Sequence, residues 1–563
     1  MMEQTSKLTT VLILAVGLLW ATGANAQLTV LNTNVPAGFG EAGYIQAATL
    51  NASGGGTLTI NGKTMIVPAN SVVQFPANTL AWADLFNNPL TNPNLIPVYD
   101  PGVGVAPPNL MIACSGTSPC TGLALVDNVN QTLGLSPYLP FNAIVLGNID
   151  VKGSTGNGIG AYIVGLILPI DQDLGNGGAG FITCIDYAKG RFEVGGTLST
   201  TPPFSCGATP TGTVIEINDP NGRYGWAHSP DPRWSVDSDN PTIASGNGYP
   251  MCLPRFAPPT IDQDCPLYNR PLNTVGDPFL QPNAPLMVVT MPPSTGPGTT
   301  KPDPYKPAPL MVGDYVAFAG VLYKNIPAAN IDPAVPWNQQ TYISANTVGP
   351  DKVEIVTAPC PSGTAPPCTA SVGPAYMQLA RMVIGTGGTP IIVPPNPTLG
   401  IPGGTIPLPE PRNNIVINGF VTDSTNLVDI FAVDINPVSG AETHRLLGTV
   451  LPEPGFAAGR GNKGRFRFEV GKGNWGNRTR VYMAQSRHGT VQVPNQTTGA
   501  IHPPQGGLLS GQYHAPMFTF QFPDAPPGFP IIPQNFNSMP FLTQGEGGNL
   551  SGGPLTPFPP FLP

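Results

Sequence analysis

Eight cysteines carry the clearest spacing in this 563-residue chain. Cys114 and Cys120 enclose a short loop, as do Cys252 and Cys265, and Cys360 and Cys368; Cys184 and Cys206 enclose a longer one. Four close sequential couples suit local disulfide staples made in an oxidising compartment, not a metal cluster or a catalytic thiol. The Cys-x-x-Cys spacing of a thiol redox site or a zinc knuckle does not occur.

A second pattern is one of charge. Arg460, Lys463, Arg465, Arg467, Lys472, Arg478, Arg480 and Arg487 fall within 29 positions, opposed there by Glu469 alone, in a chain with only 24 basic residues. Arginines alternate with phenylalanines in Arg465-Phe466-Arg467-Phe468. A strand with that alternation buries the rings and displays both guanidinium groups on one face. Arg478 and Arg480 on an adjacent strand would extend it. Arg465, Arg467, Arg478 and Arg480 therefore form a candidate anion-binding face, because guanidinium makes planar, bidentate contacts to anionic groups. Acidic polysaccharide, lipopolysaccharide phosphate and an acidic patch on a sister molecule all fit. The alternative is a solvated face that also guards an edge strand from aggregation.

Asp231, Asp237, Asp239 and Asn240 crowd a Pro- and Ser-rich loop. Hard oxygen ligands in a loop are what calcium takes, so these four are the candidate metal set and calcium the candidate cofactor. Asp171, Asp173 and Asn176 make a second, similar group. Neither has the bidentate Glu of an EF-hand. The competing reading is that such Asp and Asn side chains hydrogen-bond their own turns. The common catalytic layouts are missing: no His-Glu-x-x-His, no Gly-x-Ser-x-Gly, and no Lys-Ser/Thr after the glycine-rich run 153–160. The five histidines, His228, His444, His488, His502 and His514, are scattered. No catalytic residue is assigned.

The elements that position these groups are short. The chain holds 71 Pro and 68 Gly against 56 charged residues. An interior proline costs a helix about 3 kcal/mol or more, so long helices are ruled out. Ample Val, Ile, Thr and Phe with few charges argue for a folded all-β chain of short strands and many turns. The length points to several domains. A net charge of −8 argues against nucleic acid as a partner.

The predicted order is as follows. Lys7, the apolar run 11–20 and Ala24-Asn25-Ala26 read as a signal peptide over 1–26, too short to span a bilayer, and no later segment reads as transmembrane. Residues 27–199 read as a β-barrel or sandwich, opened by a hairpin across Asn61-Gly62. Residues 200–284 read as a disulfide-pinned loop region. Residues 285–384 read as an OB-like barrel, in which Gly320 within an alternating strand permits sharp coiling. A Pro/Gly linker spans 385–412, an Ig-like β-sandwich 413–523 and a Pro/Gly-rich tail 524–563.

Several motifs support a resemblance. Asn218-Asp219-Pro220-Asn221-Gly222-Arg223-Tyr224-Gly225, Asp239-Asn240-Pro241-Thr242-Ile243, Gly248-Tyr249-Pro250-Met251-Cys252-Leu253-Pro254-Arg255, Val312-Gly313-Asp314 and Ser510-Gly511-Gln512-Tyr513-His514-Ala515-Pro516 resemble a group of uncharacterised exported proteins of bacteria and fungi. The resemblance implies secretion and modular β architecture and carries no catalytic residues. The expectation is a non-catalytic secreted or cell-surface protein that binds anionic polymers or its own copies. The alternative is an extracellular hydrolase with accessory β domains.

Overall fold

The computed structural model describes residues 37–69, 71–77, 79–86, 120–127, 141–150, 161–170, 176–237, 240–270, 287–292, 302–324, 332, 334–351, 353–357, 373–385, 391–393, 404–406, 415–435, 441–453, 464–470, 481–493, 508–515 and 519–521. The segments expected to be a signal peptide (1–26) and a Pro/Gly-rich tail (524–563) lie outside these residues, as does most of the expected linker. The described architecture is all-β, with several sheets.

The first sheet uses β1 (Ala37–Leu50), β2 (Gly56–Ile60), β3 (Lys63–Val67), β4 (Val72–Gln74), β5 (Thr79–Ala81), β6 (Asn142–Asp150) and β7 (Ala161–Ile170), in the order β3-β2-β1-β6-β7-β4-β5. The β2–β3 hairpin turns on Asn61 and Gly62, with φ of 51° and 72°. Positive φ at both positions matches the twist of the flanking strands. Leu58 and Ile60 point inward from β2 as their alternation with threonine predicts.

The next strands are β8 (Asn176–Asp186), β9 (Arg191–Val194) and β10 (Thr213–Ile217). After β11 (Met251–Cys252), β12 (Met287–Met291) and β13 (Ala308–Pro309) come β14 (Tyr315–Lys324), β15 (Thr341–Pro350) and β16 (Val353–Thr357). A closed barrel runs β10-β15-β14-β8-β9, with β9 pairing back to β10. Only its β10–β15 pairing is parallel. Gly320 sits where the β14–β15 register shifts, and a Cβ there would come within 2.1 Å of the Ser344 carbonyl oxygen. The strands approach too closely at that bend for any side chain.

This barrel crosses the expected partition. β8 and β9 fall within 27–199, β10 within 200–284, and β14 and β15 within 285–384. The strands β12 and β16, both within the 285–384 stretch expected to form an OB-like barrel, pair with each other in a separate two-stranded sheet. Period-2 alternation identifies a strand but not its partner, and a parallel partner distant in sequence leaves no local signal.

The last part contains β17 (Met377–Gly385), β18 (Ile391–Val393), β19 (Gly404–Ile406), β20 (Ile415–Val421), β21 (Val428–Ile435), β22 (Glu442–Val450) and β23 (Arg465–Val470). It ends with β24 (Val481–Ser486), β25 (Val491–Val493), β26 (Leu508–Ser510), β27 (Gln512–Ala515) and β28 (Thr519–Gln521). Two four-stranded sheets form, β23-β20-β17-β28 and β22-β21-β24-β27. Their apolar faces meet through Ile415, Ile417, Phe466, Ile430, Tyr482 and Tyr513. β17 joins from before the expected linker, and within that linker β18 and β19 form a hairpin. β22 escaped the sequence pattern because most of it is exposed.

One apolar core is continuous from the barrel (Ile182, Ile215) through residues 224–253 (Tyr224, Tyr249) into the two-sheet unit (Ile417, Phe466). A second joins the first sheet to the barrel's other side, at Val214, Val321 and Tyr342.

Candidate functional site

β23 is an edge strand, hydrogen-bonded to β20. Phe466 and Phe468 point into the core, while Arg465, Arg467 and Glu469 are exposed. At that edge the Glu453 amide donates to the Arg465 carbonyl at 2.8 Å. Register adds a residue the sequence reading missed. Arg467 stands opposite Asn418 of β20, and Asn418 stands opposite Arg381 of β17, which is also exposed. Residues directly opposite share a face, so Arg467 and Arg381 flank Asn418 across two strand spacings of about 4.8 Å each. A one-residue shift between Leu379 and Arg381 sets this register. Arg467 donates to Glu469 at 2.8 Å, but both are about half exposed, and such pairs contribute little. Arg478 and Arg480 lie outside the described residues.

The acidic loop is used differently. Asp231 caps the short 3-10 turn Pro232–Trp234, accepting from the Arg233 amide at 3.0 Å. Its two carboxylate oxygens also take the Arg233 guanidinium, at 3.0 Å and 2.7 Å. That cation occupies the oxygens a metal would use. Asp237 accepts from the Asn240 amide at 2.9 Å. The Asn240 side chain reaches β17, donating to the Leu379 carbonyl at 2.9 Å and accepting from its amide at 2.8 Å. Asp239 lies outside the described residues, as do Asp171 and Asp173. Turn and bridging chemistry thus accounts for Asp231, Asp237 and Asn240.

Two cysteine couples are joined as their spacing predicts, Cys184 to Cys206 and Cys252 to Cys265. Cys120 is also in a disulfide, while Cys114, Cys360 and Cys368 lie outside the described residues. Glu193 brings a carboxylate oxygen within 4.8 Å of Cys184 and Cys206 sulfurs. The disulfide leaves no thiolate there, and Glu193 Oε2 accepts the Thr211 and Gly212 amides, each at 2.9 Å.

The motif residues become buried clamps. In Val312-Gly313-Asp314, Gly313 turns at φ 94° and Asp314 accepts from both terminal guanidinium nitrogens of Arg270, at 2.6 Å and 2.8 Å. Arg255 grips Asp262 and Asp264, the latter at 2.6 Å. Burial opposes ionisation of Asp262, yet hydrogen bonds from Arg255 outweigh it and hold its carboxyl below the usual range. Arg191 bonds Glu216 at 2.7 Å and lies over the Tyr342 ring.

Residues from four segments then converge. Asp219 accepts the Asn221 and Tyr224 amides at 3.1 Å and 2.6 Å. Burial raises its carboxyl against those bonds and against Arg223. Tyr249 packs edge-on against Tyr376, with ring centres 4.8 Å apart, and both hydroxyls donate to the Pro304 carbonyl. Tyr513 of β27 is near enough to Tyr224, Tyr249 and Tyr376 for their charges to couple. Burial pushes Tyr224 up to about 12 and the other three well above the ordinary phenol value. These tyrosines are held neutral, away from water, where loop region and two-sheet unit meet.

No family model, curated protein or solved structure matches the chain. The sequence reading missed Arg381 and an exposed aromatic pair, Trp226 and Phe256. The signal for Trp226 was its place at the end of a turn-dense run; for Arg381 it was an arginine inside a largely apolar strand.

Proposed function

We propose that this is a non-catalytic exported protein that binds anionic polymer outside the cell, or acidic surface on its own copies, through the outer face of β23, β20 and β17. One observation carries the reading: Arg465, Arg467 and Arg381 share an exposed sheet face, fixed from behind by buried Phe466 and Phe468. Rigid placement lowers the ordering cost of bidentate contacts. Arg478 and Arg480 extend the face in this reading. The disulfides suit an extracellular site, and no helix among the described residues is long and apolar enough to cross a membrane. Kinship with uncharacterised exported proteins, an OB-like barrel and an Ig-like sandwich belong to the same proposal.

The test is retention on an immobilised acidic polysaccharide. With Arg465, Arg467, Arg478 and Arg480 all changed to Glu, the protein should elute at much lower salt than the parent. Arg381→Glu alone should give a smaller shift in the same direction. Because Arg465, Arg467 and Arg381 are exposed, melting should change little. Unchanged elution with an intact fold would sink the reading.

A further inference from the structure

Trp226 and Phe256 are 37% and 41% exposed and meet edge to face, with ring centres 5.8 Å apart. Isolated exposed apolar residues need no explanation, but these two form one corner. Both are held. The indole Nε1 donates to the Tyr187 carbonyl at 3.0 Å, and the Tyr187 hydroxyl donates to the Pro203 carbonyl at 3.0 Å. Cys184–Cys206 staples the segment beneath. Gly190, at φ 62°, lets the indole lie against the chain: a Cβ there would sit 2.7 Å from Trp226 Cδ1. Phe256 follows the clamped Arg255 on the loop closed by Cys252–Cys265, which also exposes Ile261. The corner is therefore preorganised and apolar.

The chain itself contains a matching sequence. In Pro554-Leu555-Thr556-Pro557-Phe558-Pro559-Pro560-Phe561-Leu562-Pro563, proline recurs at every third position. Three residues is one turn of a polyproline II helix, which would place Pro554, Pro557, Pro560 and Pro563 on one face, about 9 Å apart. Leu555, Phe558 and Phe561 fall on the next face by the same period. The stretch 547–563 has no charged residue. Aromatic corners are the usual receptors for such segments, whose low entropy makes docking cheap. A neutral apolar ligand also suits this corner, whereas polyanion suits the arginine face. Residues 522–553 join the segment to β28.

We propose that residues 554–563 dock as a polyproline helix on the Trp226–Phe256 corner, on the same molecule or on a second copy. This rests on observations independent of the arginine face. The test is hydroxyl-radical footprinting of the full chain, read by mass spectrometry. Changing Pro554, Pro557, Pro560 and Pro563 to Ala should raise oxidation of Trp226 and Phe256 severalfold and leave buried Trp234 unchanged. Adding a peptide of residues 551–563 to that variant should restore protection, and a scrambled peptide should not. Phe256→Ala, which leaves the indole's hydrogen bond intact, should abolish the peptide's effect. Light scattering that rises with concentration in the parent alone assigns docking between copies; a monomer with protected rings assigns it within one. Equal oxidation of parent and variant, or equal protection by the scrambled peptide, overturns the proposal. So does protection by a neutral oligosaccharide that the 551–563 peptide fails to displace.

Discussion

Asn240 faces Leu379 with both halves of its amide, and it is not alone in doing so. Asn247 donates to the Ile355 carbonyl at 2.8 Å and accepts its amide at 3.2 Å. Asn269 does the same to Asp303, and Asn426 to His488. Each side chain imitates the donor and acceptor that a neighbouring strand's backbone would offer. Buried backbone in a loop-rich protein needs such partners, because an unpaired buried group costs about 1–3 kcal/mol. Asn247→Asp keeps the acceptor and loses the donor, so the Ile355 carbonyl faces an oxygen. It should lower stability by about 1–3 kcal/mol in denaturant unfolding. Asn51→Asp is the comparison: Oδ1 of Asn51 accepts from the Ser53 and Gly55 amides near the surface, and that role survives the change. A near-neutral Asn247→Asp would remove the bridging argument.

Among elements, the buried arginines contribute most where they tie strand to loop. Arg270 holds Asp314 at the entrance to β14 and also donates to the Pro309 carbonyl at 2.9 Å. Asp314→Asn would leave that guanidinium buried without its counter-charge and should cost about 3–5 kcal/mol. Asp186→Asn, at the partly exposed pair with Lys189, should cost less than about 1 kcal/mol. Thermal melts of the two variants compare them directly, and equal losses would contradict the burial argument. Much at this scale was readable in advance. Asn61-Gly62 announced its hairpin, Arg465 to Phe468 its faces, and adjacent cysteines their partners, because each signal lies within a few residues. The clamps were not readable, since Arg270 and Asp314 meet only after the chain has folded. Nor was the arginine row, for the link from Arg467 to Arg381 passes through two pairings and a register shift. Asp231 misled for a related reason: sequence shows how many acids a loop has, not that Arg233 takes one of them.

At the scale of the molecule, the buried tyrosines give a pH signature. Tyr224, Tyr249, Tyr376 and Tyr513 have folded-state values raised above the unfolded value of 10.0 by burial. The unfolded chain therefore gives up these protons first, and stability should fall as pH rises through about 10. Tyrosinate absorbance should show these rings ionising only together with loss of the fold. Independent ionisation without unfolding would contradict their burial. The barrel has a further consequence, in time rather than space. Ile215 of β10 pairs beside Ile343 of β15, so the ring cannot close until the chain through residue 350 has been made. Its first three strands must wait with unpaired edges while the intervening segment is synthesised, and contacts of such long sequence separation form slowly. The early disulfide Cys184–Cys206 joins β8 to the loop between β9 and β10. That staple closes a span of 22 residues and needs no strand beyond β9, so its two ends can be joined before the ring is complete.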